Sequence, residues 1–167
     1  MITLFLYAFA ANVALAIVPH EPIIVWYGAY AGVWATAVVA TVGTLTASWM
    51  DHRVFAPYLM RASSSRTLAT GAVGTARRWF VRAPFATIAI SGMTPLPFWP
   101  FKVLAFTEGY PLTRYMAAVA AGRFPRYLLL AWLGLTIRLP GWVIAVCVLL
   151  MFLPSLRIIP WQRLRAK

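Results

Sequence analysis

Two arginines three residues apart, Arg123 and Arg126, stand inside a long apolar run, with Lys102 upstream of them. At that spacing two side chains share a helix face, and guanidinium forks match phosphate oxygens. A second chemical pair, His20–Glu21, lies between Pro19 and Pro22 in the sequence PHEP. A carboxylate in a low-dielectric setting binds a proton more readily, so this pair could couple to protons or gate a site. Pro95, Pro97 and Pro100 break a further apolar segment, and the backbone groups they free could line a polar cavity. Each feature has a plainer alternative. The arginines could form internal ion pairs with Glu21 or Glu108 that hold two halves together. Glu21 could cap a helix at a tip that reaches water. The prolines could make a surface loop, and Lys102 could snorkel to an interface. The phosphate clamp is the reading taken, because Arg123, Arg126 and Lys102 outnumber the nearby acids.

The composition says what kind of medium these residues occupy. The chain has 167 residues, 62% of them hydrophobic, and a mean hydropathy of +0.78. Fifteen Lys and Arg against three acids give a net charge of +12. The basic residues flank apolar runs, which points to anionic lipid headgroups as partners and away from nucleic acid. At roughly 20 residues per span the length admits about four to six membrane elements in one domain. Cys147 is the single cysteine, so no intramolecular disulfide and no cysteine-based metal cluster is expected. No cleavable signal is expected either, since residues 1–18 lack a basic leader. No cofactor, metal or nucleophile signature is present, and the reading is of a protein that is not an enzyme.

The elements divide into two similar halves. Residues 1–50 read as an apolar entry, a tip at Pro19–Pro22, a short return and a small-residue crossing helix. Residues 51–82 read as a basic connection carrying Arg61, Arg66, Arg77, Arg78 and Arg82. Residues 83–137 repeat the pattern with a tip at 94–100 and a crossing helix over 111–137. Residues 138–167 hold a last apolar run and a basic tail. Gly32 and Gly109 occupy matching places, as do AVVATVG at 37–43 and MAAVAAG at 116–122. Gly28, Gly32, Gly43, Gly109 and Gly122 read as helix-packing residues. Positive charge puts the connection and the tail on the cytoplasmic side. The second broken segment must then enter and leave on one side, as a re-entrant hairpin, and the first hairpin is its inverted counterpart. Such paired interruptions are the pattern of inverted-repeat transporters.

Two blocks resemble the DedA family, bacterial membrane proteins with the VTT (SNARE-associated Golgi protein) domain. One is PHEPIIVWYGAYAGVWATAVVATVGTLTASWMDHRVF. The other is SGMTPLPFWPFKVLAFTEGYPLTRYMAAVAAGRFPRY, with its Gly-Arg-x-x-Arg-Tyr element. They cover roughly residues 17–130. Where that family places two acids near the first tip and an arginine before the second prolines, this chain has Glu21 beside His20, and Met93–Thr94. The resemblance implies two opposed re-entrant hairpins and movement of lipid headgroups, undecaprenyl phosphate or glycerophospholipid, across the bilayer.

The expectation is therefore an all-α integral membrane protein of the bacterial cytoplasmic membrane, with its C-terminus cytoplasmic. It is an inverted repeat of two re-entrant helical hairpins plus transmembrane helices, and it translocates phosphate-bearing lipid headgroups. The alternative is a non-transporting scaffold or assembly factor, which needs the same small-residue faces; those faces also suit a homo-oligomer. A membrane enzyme acting on lipid phosphate fits least, because Glu21 and Glu108 offer few bases near Arg123.

Overall fold

A computed structural model describes residues 1–13, 20–58, 72–94 and 98–137, with positions 140, 142 and 146. The described residues are helical, and none of them lies in a strand. In chain order the helices are α1 (Ile2–Asn12), α2 (Glu21–Ala31), α3 (Val33–Val54), α4 (Ala72–Arg82), α5 (Pro84–Met93), α6 (Trp99–Thr107) and α7 (Leu112–Ile137). Pro19, Pro95, Pro97, Arg61, Arg66, Cys147 and the basic tail lie outside the described residues.

Proline and glycine place the breaks. Pro22 and Pro100 sit in the first turns of α2 and α6. There a missing N–H costs nothing and the fixed φ suits a helix. Gly32 separates α2 from α3 with φ 86°, and Gly109 precedes α7 with φ 64°. These are left-handed conformations that side chains resist. A Cβ at either position would meet open space, so these two glycines make turns and do not pack helices as the sequence suggested.

The centre of the fold is α7, a single helix of 26 residues and about 39 Å long at 1.5 Å per residue. Helix α5 packs on its N-terminal half, α2 on its C-terminal half, and α3 runs against it as well. Packing is backbone to backbone. A Cβ at Gly122 would lie 2.1 Å from the Ala89 carbonyl oxygen, one at Gly28 would lie 2.1 Å from that of Ala131, and one at Gly134 would lie 1.7 Å from that of Val25. On α3, a Cβ at Gly43 would lie 2.8 Å from the Phe5 carbonyl oxygen of α1. Small residues are what let apolar helices approach this closely.

Two apolar clusters result. One gathers Ile88, Leu104, Phe106, Tyr115, Ala118 and Val119 around the first half of α7. The other gathers Leu4, Ala8, Ile24, Ala37, Tyr127 and Ala131 around its second half. Arg123 stands on α7 between them. Among the described residues, α3 alone is long and apolar enough to cross a membrane; three arginines reduce the apolar character of the longer α7.

Candidate functional site

The site lies between the two apolar clusters. Its floor is a polar stripe on α3, made by Thr41, Thr44, Ser48 and Asp51, all buried. Their spacing of three, four and three residues puts them on one helix face. Arg123 and Tyr127 of α7 stand opposite, four residues apart and so on one face. Asn12 at the end of α1, His20 before α2 and Lys102 on α6 complete the group.

Asp51 is 0% exposed and Lys102 5%. They form a buried ion pair, and the Lys102 ammonium also donates to the Asn12 carbonyl at 3.1 Å. Arg123, 6% exposed, donates through one NH group to the Asn12 carboxamide oxygen. The same NH group donates to the Tyr127 hydroxyl at 3.0 Å. Its guanidinium carbon stands 4.8 Å from the centre of the Phe98 ring, within cation–π range. The Tyr127 hydroxyl also meets His20 Nε2 at 2.7 Å and Thr44 Oγ1 at 2.9 Å. Asn12 Nδ2 donates to the Ala8 carbonyl at 2.7 Å and to Thr44 Oγ1 at 3.3 Å.

Arg126 turns to other partners. It donates to Glu21 at 2.7 Å and to the Thr94 carbonyl at 2.9 Å. Thr94 follows α5 and Glu21 opens α2, so one guanidinium joins the two segments read as hairpin tips. Both groups of this ion pair are about a quarter exposed. Pro125, within α7 between the two arginines, has no N–H, so the Ala121 carbonyl loses its helical donor beside the site.

The charges do not balance. The chain has three acids in all. Glu21 pairs with Arg126, Asp51 with Lys102, and Glu108 with Arg77 at the surface. Arg123 is left with neutral partners, and its buried Nε has no hydrogen-bond partner among the described residues. A buried guanidinium without a carboxylate favours an anion.

Lys102 does not join the arginines as a bare cation but is held by Asp51. Arg126 carries the internal pair with Glu21 that was the plainer alternative, whereas Glu108 pairs away from the site. His20 belongs to the site through Tyr127. Asn12, Asp51 and Tyr127 also belong to the site. The α3 stripe was the available signal, since polar residues at positions 41, 44, 48 and 51 of an apolar helix must face one another or a partner.

The Arg126–Glu21 link gives a direct prediction. A double-mutant cycle with Arg126→Met and Glu21→Gln should return a coupling of about 1–2 kcal/mol, within the range of contacting residues. Thermal unfolding of the four proteins in detergent measures it, and additive effects would mean the tips do not meet at this pair.

Among the described residues no three His, Cys, Asp or Glu side chains gather as metal ligands. A groove lined by Pro84, Phe85, Tyr110 and Arg114 lies at the opposite end of α5 from Thr94. No protein-family model, curated protein or solved structure matches the chain.

Proposed function

We propose that the chain is an integral membrane protein of the bacterial cytoplasmic membrane that translocates lipids through their phosphate headgroups, as its resemblance to the DedA family implies. The observation that carries this reading is the buried polar cluster at Arg123, which holds one cation more than its acids can balance. Ionisable groups at such depth mark ligand pathways when the surroundings are lipid. The outer surface fits that medium: the large apolar side chains of Trp34, Trp79, Ile90, Leu129 and Trp132 are all exposed, and lipid accommodates them at no cost.

The repeat also has support. Gly43 and Gly122 close the two matching motifs, and each receives the backbone of the first helix of its own half, α1 or α5. Gly32 and Gly109 both take positive φ ahead of the crossing helices. In the mechanism, the headgroup enters between the hairpins and its phosphate binds Arg123. Arg126 alternates between Glu21 and the phosphate, and protonation of Glu21 releases it. No catalytic step is involved. A scaffold is the second reading, favoured by the internal pairing of Lys102 and Arg126, which would hold the halves together without any ligand.

The test is flipping of a fluorescent phosphatidylglycerol in liposomes containing the purified protein, with and without a pH gradient. Arg123→Ala should reduce the flipping rate by roughly tenfold or more, the value of a lost charge-assisted contact. Glu21→Gln should remove the response to the gradient. A folded wild-type protein that flips no lipid would leave the scaffold.

A further inference from the structure

Asn12 touches both buried cations of the site. Its carboxamide oxygen accepts from Arg123 and its main-chain carbonyl accepts from Lys102. It is the last residue of α1, and the next residue, Val13, is already extended with ψ 144°. The carbonyls that close a helix have no helical donor and carry the negative end of its dipole. Two oxygens of one neutral residue, at the negative end of a helix, therefore face a guanidinium and an ammonium. A phosphate would present the same pattern: several oxygens on one centre, shared between a guanidinium and a lysine. Yet a carboxamide supplies no charge, so Arg123 stays uncompensated and its buried Nε stays without a partner among the described residues.

We propose that the Asn12 carboxamide is a built-in stand-in for the headgroup phosphate, holding Arg123 in place while the site is empty and giving way when an anionic phosphate arrives, with Lys102 staying on Asp51 and on the Asn12 main-chain carbonyl. This rests on the phosphate-headgroup reading above and adds the residue that sets its affinity. The neutrality of Asn12 is the operative property. A carboxylate in its place would satisfy Arg123 permanently and exclude the ligand, whereas a small apolar residue would leave the cation without its stand-in. Displacement needs no movement of α1 as a whole. Rotation of the Asn12 side chain clears Arg123 and leaves the backbone contact between α1 and α3 at Gly43 as it is.

The experiment measures ligand-induced thermal stabilisation of the full chain in detergent micelles. The probes are dioctanoyl phosphatidylglycerol, dioctanoylglycerol as the phosphate-free control, and inorganic phosphate. Wild type should respond to the phospholipid and not to dioctanoylglycerol. Asn12→Asp should weaken phospholipid binding by about tenfold or more, since the new carboxylate pairs with the guanidinium, while unfolding at the same temperature as wild type or above it. Asn12→Ala should bind more tightly than wild type, by roughly tenfold or more for a released hydrogen bond to a charged group. The near-isosteric Asn12→Asp carries the test alone if Asn12→Ala does not fold. A response to inorganic phosphate equal to that of the phospholipid, with the same two mutant effects, supports the stand-in and places recognition in the phosphate alone. Unchanged binding in folded Asn12→Asp overturns the stand-in and leaves the headgroup reading intact. A wild type that binds neither phosphate probe overturns both.

Discussion

Asp51→Asn should cost the protein roughly 3–5 kcal/mol of stability, the usual penalty for removing one partner of a buried ion pair. Asp51 and Lys102 are both almost fully buried, so the loss is not cushioned by solvent. Lys102 would keep a neutral partner in the Asn12 carbonyl, which does not offset a buried positive charge. The site would then lose the acid that pairs with Lys102 while keeping both of its buried cations. Chemical unfolding in detergent micelles measures the effect. The paired change Asp51→Leu with Lys102→Met should recover most of it, because apolar replacement of both ions removes the desolvation cost along with the attraction. A loss below about 0.5 kcal/mol for Asp51→Asn would mean that water reaches the pair, as in surface ion pairs.

Gly122→Ala should be destabilising by about 2–3 kcal/mol, the upper part of the range for overpacking. The sign is the informative part. In an open helix the same change stabilises by about 0.5–1 kcal/mol, because alanine loses less backbone freedom on folding. Here the new methyl would meet the Ala89 carbonyl oxygen at 2.1 Å, and backbone cannot rotate away as a side chain can. Helix α5 would have to move off α7 next to Arg123, so on the proposed function lipid flipping should fall together with the unfolding temperature. Gly32→Ala serves as the contrast. It strains a turn at φ 86° without pushing any helix, so its effect should be confined to stability. If Gly122→Ala stabilised the protein, α5 would not pack against α7 as described.

The helix breaks were legible because proline and glycine act locally. PHEP, Gly32, the proline run and Gly109 mark where α2, α3, α6 and α7 begin, and no distant partner is needed to read them. The same local character limits what they tell. A proline marks a break but not the depth at which the break lies. The site was legible in its cations and not in its pairing. Arg123, Arg126 and Lys102 stand out in apolar sequence, but their partners lie far away along the chain. Asp51 is masked in the sequence by its neighbours, since Asp51, His52 and Arg53 together look like the start of the basic connection. In the structure Asp51 faces inward while Arg53 turns out to stack on Trp49. Asn12 left no mark at all, because one neutral polar residue in a helix becomes informative only once it is known what the helix end touches.

The three acids are also spent on partners made later or earlier by ribosomal time. Asp51 and Lys102 are 51 residues apart, and Glu21 and Arg126 are 105 apart. At about 5–20 residues per second of synthesis, Asp51 waits several seconds for its lysine, and Glu21 waits about twice as long for its arginine. On the membrane reading, α3 cannot settle with a bare carboxylate at its final depth during that interval. It must hold Asp51 at the water boundary or insert it protonated. The first half of the chain is then a provisional guest in the bilayer, and the second half, arriving with Lys102 and Arg126, makes its insertion final.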